Sequence, residues 1–302
     1  MSISLKQIRY FIAAADAQQI SAAAIELGIS QPAITAAIKE LEADLGVALI
    51  RRRVGGITLT HEGLKFLSQA RNVQMSVADA ILSIKKDDAR ISGTVRLGVT
   101  YTGLGYFILP TLARFRRHFP EVNVELHEMS RTELENEIIS SHVDLALIII
   151  SNINDYDAIS YRVLLRSQRL LWMSSQHRLS TISEISLSDI YTENFVQFTS
   201  DEADISAQRY LREHGFTPNI VLKTTSMEAV RGMVATGAAV TILANLVYRP
   251  WSLDGHRVEL RPLRENIPSL DLGMAWRRGR QLSEAESRLL RFLEIESTTV
   301  TR

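Results

Sequence analysis

Cysteine is absent from this chain of 302 residues, which removes disulfides, thiolate catalysis, iron–sulfur clusters and thiol-based redox sensing together. The same absence fits a reducing compartment, and a cytoplasmic location is expected. An excess of one charge is missing too: Lys+Arg and Asp+Glu each total 34. No overall field calls for a polyanionic partner, so any nucleic-acid surface must come from local placement of basic residues. Long hydrophobic runs are also lacking. The longest apolar stretch, Met233 to Val247, is too short for a bilayer and carries Thr236, Thr241 and Asn245. Near the start, "YFIAAADA" follows Lys6 and Arg9 but is too short for a signal peptide, and Leu5, Ile8, Ile12 and Ala15 have helical spacing. No membrane partner is expected.

Catalytic motifs are equally scarce. His61, His118, His127, His142, His177, His214 and His256 show no metal-ligand spacing, and no thiolate exists to complete such a site. "GVTYTGLGYFI" places Ile108 where a dinucleotide loop needs its third small residue. Ser83 to Lys86 spells S-x-x-K without a supporting KTG motif, and no Walker loop, G-x-S-x-G elbow or HExxH is present. The expectation is a protein that is not an enzyme, with no cofactor and no metal.

A hydrophobic content of 46% against 23% charged residues is that of an ordinary globular chain, long enough for two or three cores. Leu5 to Ala15 reads as an amphipathic helix, and Ser21 as the cap of a short alanine-rich helix ending near Leu27. Gly28 supplies a turn, Ser30 can cap the next helix, and Pro32 is tolerated in its first turn. In "LGISQPAITAAIKELEADLG" the residues Ile34, Ile38, Leu41 and Leu45 form a buried stripe, leaving Gln31, Thr35 and Lys39 on the opposite face. A helix, tight turn and helix can set the second helix in a DNA major groove. Gln31 then suits an adenine edge, Thr35 a base or phosphate, and Pro32 an apolar contact. A small helical bundle with a solvated polar face has the same pattern.

"LIRRRVGGITLT", Leu49 to Thr60, reads as a hairpin turning at Gly55-Gly56. As a wing it would bring Arg51, Arg52 and Arg53 to phosphates or a minor groove; a solvated charge run is the alternative. From His61 to about Lys86 a long helix follows, with Thr60 as its cap. Phe66, Ala70, Val73, Val77, Ala80 and Ile84 recur at steps of four and three, a coiled-coil seam that would pair two heads. An intramolecular helix could use the same stripe for its own core.

"SQPAIT" and "IKELEADLG", with "ITLTHEG" after the wing, resemble the LysR-type transcriptional regulators. The chain departs from that family's usual pattern near "AQQIS", at Ile50, and at Ala36, where the family often has a polar or basic residue. Ala36 is left to touch a thymine methyl or nothing.

Asp87 to Ser92 is polar and is read as a hinge. Beyond it, strands "GTVRLGVT", "VNVELHEM" and "VDLALIII" alternate with helices, and the pattern resumes with "RLLWMSS", "NFVQFT", "IVLKTT" and "VTILA". A last strand near Leu270 to Trp276 precedes a helix from Ser283 to Leu293. Such alternation predicts a largely parallel sheet and two α/β lobes. Ligands of open sheets bind beyond the strands' carboxyl ends. That rule selects Thr100, Tyr101, Thr102 and Gly103, then Thr199 and Ser200, then Thr225 and Ser226, although Ser and Thr in such places can simply cap helices.

The resemblance implies an α/β protein with a winged helix-turn-helix at 1–60, a linker and dimerisation helix at 61–88, and an effector-binding domain at 93–302 resembling periplasmic solute-binding proteins. Its lobes are expected at about 93–163 with 267–302, and at about 164–266. It implies double-stranded DNA as partner, a small-molecule inducer such as an organic anion or aromatic acid, and a tetramer built as a dimer of dimers. The positions matching the family's cleft are Thr100, Tyr101, Thr102, Thr199, Ser200 and Ser226. A solute-binding module without DNA binding is the alternative.

Overall fold

The computed structural model describes residues 3–17, 19–53, 56–84, 91–182 and 184–300. It divides into two compact units, within 1–89 plus 295–302 and within 90–294. The first unit is built from α1 (Leu5–Ala17), α2 (Ile20–Leu27), α3 (Gln31–Leu45), β1 (Ile50–Arg53), β2 (Gly56–Leu59) and α4 (His61–Ile84). Ser4 and Gln7 open α1 with reciprocal bonds: the Gln7 N–H donates to Ser4 Oγ, and the Ser4 N–H donates to Gln7 Oε1 at 2.7 Å. Phe11, Ile12, Ala13 and Ala14 of α1 pack against Ala23 of α2 and Ile34, Ile38 and Leu41 of α3. The alanines let the helix axes approach closely, and the larger stripe of α3 fills the space between. Gly28 closes α2 at φ +65°, where a side chain would be strained, and the chain turns at once into α3.

Two capping expectations are corrected. Ser21 lies inside α2, whose N-cap position is Gln19. Ser30 occupies the N-cap position of α3, but its hydroxyl makes no capping bond. Thr60 does cap α4, accepting the Gly63 N–H at 2.9 Å while its own hydroxyl donates to the Ala48 carbonyl at 2.7 Å. The hairpin pairs Ile50 with Leu59 and Arg53 with Gly56. Gly55 of its expected turn and most of the expected hinge at Asp87 to Ser92 lie outside the described residues.

The second unit has two lobes. In one, a five-stranded sheet has the order β4-β3-β5-β12-β6, with β3 (Gly93–Val99), β4 (Val122–Glu128), β5 (Leu145–Ile149), β6 (Ile159–Ser167) and β12 (Leu270–Arg277). Around it stand α5 (Tyr101–Gly103), continuous through a π turn (Leu104–Ile108) with α6 (Leu109–His118), then α7 (Arg131–Ile139) and α10 (Glu284–Val300). The other lobe pairs β7 (Arg169–Ser174) with β10 (Thr241–Ala244) and β11 (Val258–Arg261), beside the pair β8 (Asn194–Phe198) and β9 (Asn219–Thr224). Its helices are α8 (Ala203–Glu213) and α9 (Met227–Ala235).

The sheets are mixed rather than largely parallel. β3 pairs parallel with β4 and β5, and β8 with β9, but β12 runs antiparallel to β5 and β6, and β7 antiparallel to both its neighbours. The antiparallel pairs arise because the chain crosses between lobes and later returns. The first crossing also falls later than expected: Ser167 still pairs with Leu270 in the first sheet, so the change of lobe comes at about Gln168 rather than at 163. No helix of the described residues is long and apolar enough to cross a membrane.

Candidate nucleic-acid interface and effector cleft

The first residues of α3 stand clear of the head's core. Gln31, Pro32, Ala36 and Lys39 are exposed and Thr35 half-exposed, whereas Ile34, Ala37, Ile38 and Leu41 of the same helix are buried. Together with Arg52 of β1, the five outward residues line an open groove of about 430 Å³. Arg51 is also exposed; the side chain of Arg53 lies outside the described residues. The wing is fixed to α3 by a residue that periodicity does not single out. Glu42 Oε1 accepts the backbone N–H groups of Leu49, at 2.7 Å, and Ile50, at 3.0 Å, which orients the strand carrying the arginines. Gly63 sets the opposite side: a Cβ there would lie 2.0 Å from the Leu49 carbonyl oxygen, so only glycine lets α4 start this close to the wing.

The apolar stripe of α4 divides. Ala70 is buried and Phe66 half-buried in the head's own core, with the Phe66 ring edge-on to Phe11 at 5.3 Å. These two do not form an exposed seam, because α1 already covers them. Val73 is 42% exposed and Val77 is partly so; both remain open to a second chain. The side chains of Ala80 and Ile84 lie outside the described residues.

Between the lobes of the second unit is a small cavity with about 30 Å³ of enclosed space. Its apolar wall includes Ile149, Phe198, Ile242, Leu243, Val247 and Leu270; its polar groups come from Thr102, Asn152, Arg169, Ser200, Asp201 and Ser206. Of the sequence-selected residues, Thr102 and Ser200 reach it. Thr100 is buried at the N-cap position of α5, its hydroxyl without a partner among the described residues. Tyr101 stacks obliquely on Phe198 at 5.7 Å and on Tyr106 at 6.1 Å, and burial, then its contact with Tyr106, pushes its phenol up to about 12.

Three selected positions have other duties. Gly103 packs on Leu147, whose Cδ2 would stand 2.9 Å from an added Cβ, so a close approach accounts for glycine here. Ser226 is exposed and spends its hydroxyl on the Ala229 N–H at 3.2 Å, capping α9. Thr199 ties β8 to β9 through its N–H, which donates to the Thr224 carbonyl at 3.0 Å.

Arg169, and Asp201 and Glu202 of the Ser200–Glu202 turn, are the polar features that sequence reasoning missed. Asp201 and Glu202 both adopt positive φ, +53° and +54°, unusual for residues with side chains. The turn is held across the cleft: Thr102 N–H donates to Asp201 Oδ2 at 2.7 Å, Asn152 Nδ2 donates to the Asp201 carbonyl at 2.9 Å, and Arg131 Nε donates to Glu202 Oε2 at 2.8 Å. The run "TSDEAD" directly after a buried strand was the available signal. Arg169 is 8% exposed and opens the strand "RLLWMS". Burial lowers its pKa, against the opposing influence of Tyr210 and Asp271.

Two family models match the chain. The Bacterial regulatory helix-turn-helix protein, lysR family, covers residues 5–64, and the LysR substrate binding domain covers 88–296. The chain belongs to the LysR family. Among curated relatives, HTH-type transcriptional regulator XapR of Escherichia coli (strain K12) is 29% identical over 266 residues, 88% of this chain and 89% of that one. HTH-type transcriptional regulator AlsR of Bacillus subtilis (strain 168) is 26% identical over 255 residues, 83% of this chain and 84% of its own length. Among solved structures, HinK, a LysR family transcriptional regulator from Pseudomonas aeruginosa, superposes with a TM-score of 0.63 at 25% identity, covering 99% of both chains. This LysR-type protein is therefore a DNA-binding transcriptional regulator with an α/β effector-binding domain, and the reading as a solute-binding module without DNA binding is set aside. Among the described residues no group of His, Asp and Glu is arranged to hold a metal.

Proposed function

We propose that Gln31, Pro32, Thr35, Ala36 and Lys39 read the major groove while Arg51, Arg52 and Arg53 hold phosphates or an adjacent minor groove, with Ser30 supplying a further phosphate contact. The observation that carries this reading is the groove shared by the outward face of α3 and Arg52. The unspent hydroxyl of Ser30 supports it, since a hydroxyl not used as a cap is free to meet a phosphate. Val73 and Val77, with the more distal stripe residues, pair two chains, and two such dimers grip paired half-sites as a tetramer.

A small organic effector binds between the lobes and shifts the population of tetramer shapes by preferring one of them. The effector site comprises Thr100, Tyr101, Thr102 and Ser200, with Thr199 holding the strands behind it. The protein acts in the cytoplasm and without catalysis; the names of its relatives as regulators support the latter.

Titrations of the Gln31→Ala and Arg52→Ala variants against operator and random duplexes test the DNA reading. Gln31→Ala is expected to lose about 1 to 3 kcal/mol of discrimination, and Arg52→Ala to weaken both duplexes alike and lower the salt slope by about one. Unchanged binding by both variants refutes the assigned contacts.

A further inference from the structure

Among the described residues, two features of the cleft can hold an anion, and one of them is already met by a carboxylate. The first is the N–H of Thr102, already filled by the protein's own Asp201 carboxylate at 2.7 Å. The second is Arg169. Its Nη1 donates to the carbonyls of Pro268 and of Ser269, the latter at 2.7 Å, its Nη2 donates to Ser206 Oγ at 3.0 Å, and its guanidinium lies over the Tyr210 ring at 5.4 Å. All of these partners are neutral. Asp271 acts on it through space but makes its ion pair with Arg166, at 3.2 Å. A guanidinium that is 8% exposed and hydrogen-bonded only to neutral oxygens is poorly compensated in a poorly solvated place. That place is on the wall of the cavity, which Phe198, Ile149, Ile242 and Leu270 also line.

Resting on the reading of this cleft as the effector site, we propose that Arg169 is its anion anchor and that the effector is a monocarboxylate with a short apolar body. The carboxylate sits against the Arg169 guanidinium and Ser206, where the charge-assisted pairing supplies the missing counter-ion. The apolar part lies on Phe198 and the aliphatic wall. Asp201 sets the limit on charge. Asp201 lines the same cavity, so a second acid group on the ligand would meet the like charge of its carboxylate. Dicarboxylates and phosphates are thereby excluded. The enclosed space takes little more than the acid group, so the Ser200–Glu202 turn must yield to admit the rest.

The experiment is thermal unfolding of the full chain with propionate, its neutral isostere propionamide, or malonate at matched ionic strength. Propionate at about 50 mM is expected to raise the Tm by about 2 °C or more, with propionamide and malonate giving less than about 0.5 °C. Arg169→Gln should abolish the propionate response. Because Arg169 also ties two crossing segments together, Asp201→Asn provides a second test: it removes the repelling charge, and Asn tolerates positive φ. That variant should respond more strongly to propionate, by about threefold in apparent affinity, and should begin to respond to malonate. No response of the wild-type chain to propionate, an equal response to propionamide, a response retained in Arg169→Gln, or an Asp201→Asn variant that still ignores malonate overturns the proposal. A ligand that binds the cleft equally with and without Arg169 would overturn the anchor and leave the effector-site reading standing.

Discussion

The Thr102 amide offers a direct gauge of the cross-cleft contact made by Asp201. It lies in the first turn of α5, where no helical carbonyl is available to it, and its acceptor is Asp201 Oδ2 at 2.7 Å. Thr102 is 3% exposed, so when Asp201 leaves, that N–H is stranded until solvent enters. A charge-assisted bond of this kind is worth about 1.5 to 3 kcal/mol, and partial exposure of the turn argues for the lower end. At about 1.5 kcal/mol, Asp201→Ala should raise hydrogen exchange at Thr102 by about tenfold. Asp201→Asn keeps an acceptor without the charge and should give about threefold. Asp201→Gly loses the carboxylate but relieves the strain of φ +53°, so its turn should be better tolerated than that of Asp201→Ala. Leu104, whose N–H donates to the Thr100 carbonyl at 2.9 Å inside the same turn, is the internal control and should be unchanged. Equal Thr102 exchange in wild type and Asp201→Ala would refute the claim that this carboxylate protects the amide.

The first lobe holds a second acidic test. Burial raises the Asp144 pKa, but its bonds to Arg96 outweigh burial and the net shift is downward, with Arg280 adding to it. A depressed folded-state value means that the contribution is fully present above the ordinary 3.8 and is lost as pH falls below it. Asp144→Asn should cost about 2 kcal/mol near neutrality and flatten the acid limb of a Tm-against-pH curve below about pH 4; an unchanged acid limb would count against it. Gly63→Ala should cost the head about 3 kcal/mol or more, because the obstructing atom is the backbone oxygen of Leu49, and chemical denaturation followed in the head would show it. Ser226→Ala should remove only a helix cap, about 1 kcal/mol by denaturant midpoint, and leave effector affinity as it was. A selective loss of effector binding would restore Ser226 to the site.

What could be read in the sequence was whatever a single element's own period determines. Ile34, Ile38 and Leu41 are buried because a helix of that period has one inward face, and Gln31 and Lys39 face outward for the same reason. β6 escaped because its burial does not alternate: a register shift opposite Leu272 and Gly273 breaks the two-residue period. The stripe on α4 looks the same whether it meets another chain or its own α1, so only the contact of Phe66 with Phe11 could assign its first half. Arg169 was invisible for a related reason. Its partners Ser206, Pro268 and Ser269 lie far along the chain, and a charged residue at the start of an apolar strand has no significance until those partners prove neutral.

The candidate site residues differ most in whether their bonding capacity is already used. The hydroxyl of Ser226 is committed to Ala229 and the N–H of Thr102 to Asp201, whereas Ser30 holds a capping position without making the bond, and Arg169 meets only neutral oxygen and an aromatic face. Residue type and place after a strand or before a helix selected all of these serines and threonines alike. Folding satisfies most polar groups, and a buried group left short of a partner is costly unless something outside the chain completes it, whereas an exposed one is met by water. On that physical ground an outside anion would complete buried Arg169, a phosphate could replace water at the exposed Ser30 hydroxyl, and the Ser226 hydroxyl is already spent on its own helix.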